Sequence, residues 1–275
     1  MLTALKQFIV DYSTPPAKVM RDDLLSKLKP LVRFLIDSRP QSMSMGNAIR
    51  YVKMKISKIG VGWSEPRAKD HLCAAIDSFI EERVAFADEV IASHGVSKIN
   101  DGDVVMTYAT SHVVELILTR AHSEGKRFRV IIVDSRPKLE GKELLRRLLR
   151  HGVKCTYIMI NALSYVINEV SKVFLGAAAL LSNGAVISRV GSAVVAMMAK
   201  GHNVPVLVCC ETYKFHDRVQ LDSIGFNELG DLDELVVQQP HNAKSIHTHT
   251  CTHNTRNTRA TLSWKTCSHA RLSAF

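Results

Sequence analysis

The chain has 275 residues, 46% of them hydrophobic, which is enough apolar material for a substantial core and one or two domains. No run approaches the roughly 20 continuous apolar residues that span a bilayer, the opening MLTALKQFIVDYS lacks a small-residue cleavage site, and six irregular cysteines fit neither a disulfide framework nor a CxxC zinc seed; a soluble intracellular protein with reduced thiols is expected. The formal charge of +10 invites a nucleic-acid reading, but residues 236–275 hold five basic residues and no acid, leaving an ordinary +5 for the rest.

Residues 1–12 place Leu2, Leu5, Phe8 and Ile9 on one helical face, and Pro15-Pro16 ends that run. A second segment carries Leu24, Leu25, Leu28, Leu31, Leu35 and Ile36 at helical intervals, with Pro30 predicting a kink or a division. A third helix runs from about Met45 to Ile59. The clearest begins at Ser64, an N-cap residue followed by Glu65 and Pro66, and continues through Leu72, Ile76, Phe79, Ile80, Val84, Ala87 and Ile91 to Gly95. Met43, Met45 and Met54 are read as packing rather than as an adaptable binding surface.

Near Asp101 the pattern changes, and β-branched runs alternate with helical periods. DVVMTYA, a helix from about Ser111, RVIIVD, a helix over Gly141–Arg150, KCTYIMI, a helix near Tyr165, KVFLGAAALL, a helix over Arg189–Lys200 and VPVLVCC follow in turn. Such alternation predicts parallel strands joined by crossover helices, with ligands beyond the carboxyl ends of the strands. The fold class is therefore α/β: an N-terminal helical domain over 1–98, then a Rossmann-like, mostly parallel sheet over 99–235 that is incomplete at its C-terminus. Beyond about Leu235 the periodicity stops, and a disordered His/Thr-rich tail is predicted over 236–275. Its His247, His249, Cys251 and His253 suit zinc or nickel chemically, but their spacing matches no closed structural zinc motif, so no metal site is assigned.

The most specific segment is VIIVDSRPKLEGKELLRRLLRHGV, which puts Asp134, Ser135, Arg136, Pro137, Glu140 and Gly141 directly after a predicted strand. Arg136 offers a forked donor and the amides of a helix start add positive potential, so the turn suits a phosphate. The same residues also suit a tight turn closed by an ion pair, and both readings stay open. Glu211, Thr212, Tyr213, Lys214 and Phe215 form an aromatic, mixed-charge loop of the kind that suits a protein interface, or a solvated loop with one aromatic anchor. Ser111, His112 and Asp134 have triad chemistry, but adjacent Ser-His side chains diverge on a helix and no nucleophile elbow is present. Cys209 and Cys210 lie in an apolar strand and are expected to be inert.

DSRPxxEG, NGAVISRVGSA and VPVLVCCETYKF, met in that order, make the chain similar to the initiation factor 2B alpha/beta/delta family, which also includes methylthioribose-phosphate and ribose-bisphosphate isomerases. The resemblance covers about Leu2 to Leu229 and is greatest to the delta branch. It implies a cytosolic regulatory subunit that assembles with alpha, beta, gamma and epsilon subunits into the factor exchanging GDP for GTP on initiation factor 2. The exchange chemistry would reside in epsilon, and the assembly would sense phosphorylated initiation factor 2. No cofactor and no direct nucleic-acid role are implied.

The isomerases of this family resemble one another in a cysteine after the first sheet strand and an aspartate in a GAD motif after a later one. Here the first loop reads MTYATS, with Ala109 or a neighbour at the thiol position, and the GAD equivalent reads GAA, with Ala178 in place of the acid and Ala185 in the following NGAV. No cysteine lies between Cys73 and Cys155, and alanine can move no proton, so a non-enzyme is expected. By the same resemblance Asp134, Ser135, Arg136, Glu140, Gly141, Asn183 and Arg189 mark a vestigial phosphate pocket. Asn183, Gly184, Arg189 and Gly191 equally suit a structural role in a loop and helix start. The alternative function is a sugar-phosphate isomerase or sugar-phosphate-binding protein of the same fold. After Leu229 the family pattern implies more strand and helix where the tail intervenes, a departure that leaves assembly open even with the fold intact.

Overall fold

The computed structural model describes residues 1–60 and 62–221, together with the backbone of one further strand at Ser268–Arg271. Five helices come first: α1 (Leu2–Asp11), α2 (Met20–Ser38), α3 (Met43–Ser57), α4 (Glu65–Ile80) and α5 (Phe86–Ser97). The apolar stripes of the first four meet in one core, where Leu5 and Ile9, Leu24 and Leu28, Val52 and Ile56, and Leu72 and Ile76 are buried. Pro30 does not divide α2. It lies exposed, so its missing N–H falls on the solvent side, while Leu28 and Val32 anchor the helix on either side of it.

The helix expected to run from Ser64 to Gly95 is interrupted by a π-helical turn at Glu81–Ala85. The wider turn rotates the following stripe away from the first core. Ala92 and Val96 of α5 pack instead with Val113, Val114 and Ile117, so the last amino-terminal helix belongs by packing to the α/β layer.

That layer is built from β1 (Val104–Tyr108), α6 (His112–Ser123), β2 (Arg129–Asp134), α7 (Gly141–Arg150), β3 (Lys154–Met159), a short α8 (Leu163–Val166), β4 (Lys172–Gly176), β5 (Ala179–Leu181), β6 (Ala185–Ser188), α9 (Ser192–Gly201) and β7 (Val206–Cys209). β3, β2, β1, β4 and β7 form an all-parallel sheet in that order. Alternate strand residues serve opposite faces. Val105, Val130, Ile132 and Phe174 pack under α5, α6 and α7, whereas Met106, Ile131, Val133, Val173 and Leu175 pack against Leu163, Ile167, Val195 and Ala199. Both faces are covered, which is why RVIIVD reads as a continuous apolar run.

The strand order reverses between β1 and β4, creating a topological switch point at their carboxyl ends. The run KVFLGAAALL divides there into β4 and β5. β5 and β6 pair as an antiparallel hairpin, β8 (Phe215–His216) adds in parallel to β5, and β9 (Ser268–Arg271), from the segment read as tail, adds to β6. His247, His249, Cys251 and His253 lie outside the described residues. No described helix is long and apolar enough to cross a membrane.

Candidate functional site

Asp134 ends β2 and is 1% exposed. One carboxylate oxygen accepts the Ser135 N–H at 2.9 Å and the other accepts the Tyr157 hydroxyl from β3 at 2.8 Å. Burial, with Asp134 adding to it, pushes the Tyr157 phenol up to about 12, so it stays a hydrogen-bond donor at neutral pH. Gly141, the first residue of α7, closes over the same carboxylate; a Cβ there would stand 2.9 Å from Asp134 Cγ. Asp134 is thus satisfied within the protein and fixes the turn between β2 and α7.

A second linkage runs through Tyr108 at the end of β1. Its hydroxyl donates to the Val190 carbonyl and accepts from Ser135 Oγ at 2.7 Å, and burial raises its pKa. Gly191 lies beside it at φ 102°, where a Cβ would collide with the Tyr108 hydroxyl. Arg189 pairs with Glu140 at 2.8 Å. Asp134, Ser135, Glu140, Gly141 and Arg189 are therefore joined around one edge of the sheet. Asn183 is not among them: it sits in the β5–β6 turn, where its side chain donates to the Gln220 carbonyl at 3.1 Å and accepts from the Ala185 N–H at 3.2 Å. Arg136 is exposed and lines an open pocket of about 530 Å³ with Ser135, Leu139, Lys142, Tyr157, Met159, Ile160 and Asn161. That pocket lies over the ends of β2 and β3, on the outer side of the sheet from the switch point.

At the switch point itself stand alanines. Ala109 is buried with φ 54°, a left-handed conformation that costs a residue bearing a Cβ about 1 kcal/mol, and its N–H donates to the Val133 carbonyl at 2.8 Å. Ala178 follows β4, exposed, with its N–H bonded to the Ile187 carbonyl at 2.8 Å. Neither side chain can exchange a proton.

The ETYKF segment turns largely inward. Glu211 is 4% exposed and pairs with Lys214 at 2.6 Å, and the Tyr213 phenol is raised by burial and by Glu211. Asp88 of α5, 8% exposed, has its carboxyl raised by burial and then by the Glu211 charge, with His112 3.9 Å away. Thr212 and Phe215 remain at the surface. The side-chain amide of Asn47 donates to the carbonyls of Tyr213 and Phe215, fastening this segment to α3. His112 thus faces Asp88 while Asp134 is engaged by Ser135 and Tyr157, which separates the three residues of triad chemistry. Burial lifts the Cys209 and Cys210 thiols to about 12 and about 11, so both are protonated at neutral pH. Among the described residues no group of three or more His, Cys, Asp or Glu side chains gathers as a metal site.

A doubly wound parallel sheet beneath a helical amino-terminal layer, with an α/β switch point lined by alanine, defines a Rossmann-like protein. The Initiation factor 2 subunit family matches residues 1–255, and the chain belongs to that family. It is 57% identical over 236 residues to a translation initiation factor eIF2B subunit delta from Dictyostelium discoideum, a match covering 86% of this chain and 38% of that relative. The chain therefore spans well under half the length of that relative. It is 32% identical over 218 residues to a ribose 1,5-bisphosphate isomerase from Thermococcus kodakarensis, covering 78% of this chain and 67% of the isomerase. Among solved structures, a chain of the tetrameric eIF2B-beta2-delta2 complex from C. thermophilum superposes with a TM-score of 0.81 at 36% identity, covering 83% of this chain and 74% of that one.

Proposed function

We propose that the chain is a non-catalytic regulatory subunit of the guanine-nucleotide exchange complex that recycles initiation factor 2 from GDP to GTP. It works in the cytosol beside alpha, beta, gamma and epsilon subunits and responds to phosphorylation of initiation factor 2. The observation that carries this reading is the 57% identity to a delta subunit over 86% of the chain. The chemistry agrees with it: Ala109 and Ala178 supply no acid or base at the switch point, and Asp134 is engaged by Ser135 and Tyr157. The pocket residues then serve as architecture, and Thr212 and Phe215 are the members of the ETYKF segment available to a partner. A phosphoryl group adds a charge of about −1.5 to −2, which a basic surface of this chain would register. The test is reconstitution with beta, gamma and epsilon subunits. Association, and GDP release from initiation factor 2 that slows when that factor is phosphorylated, are expected; a chain that joins no subunit contradicts the reading.

A second reading, a sugar-phosphate isomerase or sugar-phosphate-binding protein, is favoured by the 32% identity to the Thermococcus kodakarensis enzyme. Turnover of ribose 1,5-bisphosphate that disappears in Arg136→Ala would establish it; absence of turnover is expected.

A further inference from the structure

The charge of this chain is concentrated. Five of its ten net positive charges lie after Val236, and the other five are accounted for by residues 136–154, which hold seven basic and two acidic side chains; everything else sums to neutral. The concentrated stretch is the turn after β2, all of α7 and the first residue of β3.

Both acids in it are engaged. Glu140 pairs with Arg189 at 2.8 Å, and Glu143 pairs with Arg147 at 3.1 Å and with Arg146 at 3.5 Å. Arg147 is also held by Glu115 of α6 at 3.0 Å. Lys142 and Arg150 are exposed and have no ion-pair partner among the described residues, and the Arg146 side chain is 68% exposed. Lys142, Arg146 and Arg150 recur every fourth residue, so they form one stripe along the helix with about 6 Å between successive positions. Leu144 and Leu148 bury the opposite face in the sheet core and fix the stripe outward. Beside it Leu149 is 55% exposed. At its amino end opens the pocket of about 530 Å³, which Lys142 and Arg136 line together with Leu139, Met159 and Ile160.

We propose that the α7 stripe and this pocket form a docking surface for an acid-rich protein segment, its carboxylates pairing with Lys142, Arg146 and Arg150 and an apolar anchor side chain entering the pocket. Glutamates every fourth residue of a helix, or every second residue of a strand, recur at about 6 to 7 Å and match the stripe. Leu149 and the apolar part of the pocket offer contact area to a protein anchor and nothing to a sugar-phosphate backbone, and the stripe lacks the exposed aromatic ring on which a base would stack. The surface stands on this geometry independently of the proposed exchange complex.

The test uses the full chain and fluorescence anisotropy. The probe is a labelled helical peptide of about 12 residues, with glutamate at every fourth position and one central leucine. A glutamine-for-glutamate peptide, a peptide with alanine for the leucine and a single-stranded RNA of equal length serve as comparisons. The acidic peptide is expected to bind, to weaken as salt rises, and to lose about tenfold or more in affinity to the triple variant Lys142→Glu, Arg146→Glu, Arg150→Glu. The corresponding triple glutamine variant guards against a folding effect of charge reversal, and at an unchanged melting temperature it too should bind more weakly. Lys29→Glu, at an exposed position of α2, should change nothing. Failure of the acidic peptide to bind, equal affinity for the triple variants, or RNA bound more tightly than the peptide through the same residues would overturn the proposal, the last identifying a nucleic-acid surface.

Discussion

The side-chain amide of Asn47 donates to the Phe215 carbonyl at 2.7 Å, so a residue of the third helix holds β8, the short strand that pairs with β5. The same amide reaches the Tyr213 carbonyl at 2.9 Å. Asn47→Ala removes both bonds and is expected to cost about 1 to 3 kcal/mol, since each intramolecular hydrogen bond contributes roughly 0.5–1.5 kcal/mol. Hydrogen exchange should locate the change: residues 212–216 lose protection more than the sheet core does. Uniform loss across the chain would show that Asn47 matters globally and not as a tether.

Gly141→Ala is expected to destabilise. Alanine in a helix is ordinarily better than glycine by about 1 kcal/mol, so the usual sign is a gain. Here the new methyl would stand 2.9 Å from Asp134 Cγ, and that carboxylate is held in place by Ser135 and Tyr157. Overpacking of this kind costs about 1–3 kcal/mol, enough to reverse the sign. Denaturant melts decide the matter, and a variant as stable as the parent would mean the β2–α7 turn yields easily.

The Asp88 carboxyl is raised by burial first and by Glu211 second, with His112 and Lys214 opposing. Because its folded pKa lies above its unfolded value near 4, the folded state binds more protons across that window, and stability falls as pH rises from about 4 through the raised value. Asp88→Asn keeps the shape and removes the charge. The variant should lose this decline and be more stable than the parent near neutral pH, despite giving up the weak attraction of His112 at 3.9 Å. Urea midpoints measured from about pH 4 to 7 test it; parallel profiles for the two proteins would assign the pH dependence elsewhere.

Much of the layer order was legible in the sequence because strand and helix periods differ and alternate after Asp101. The π-helical turn was not, since Glu81-Glu82-Arg83-Val84-Ala85 fits an ordinary helix, and only packing reveals that Ala92 and Val96 serve the other core. The change of period near Asp101 lies after α5, so it does not disclose that this helix packs with the sheet core. The turn chemistry of Asp134 and Gly141 could be read, but its closure depends on Tyr157, which the parallel register of β2 and β3 brings near. Glu211 and Lys214 look like surface charges in sequence and are drawn inward by pairing with each other. The basic stripe of α7 escaped the sequence reading, because a charge summed over 235 residues conceals the every-fourth-residue spacing of Lys142, Arg146 and Arg150.

The most direct measurement of the central claim is co-purification of this chain with beta, gamma and epsilon subunits, followed by GDP release from initiation factor 2 with and without phosphorylation, alongside turnover of ribose 1,5-bisphosphate by the chain alone. The account predicts association, phosphorylation-sensitive exchange and no turnover. A chain that joins none of the subunits and isomerises the sugar phosphate in an Arg136-dependent manner would contradict it.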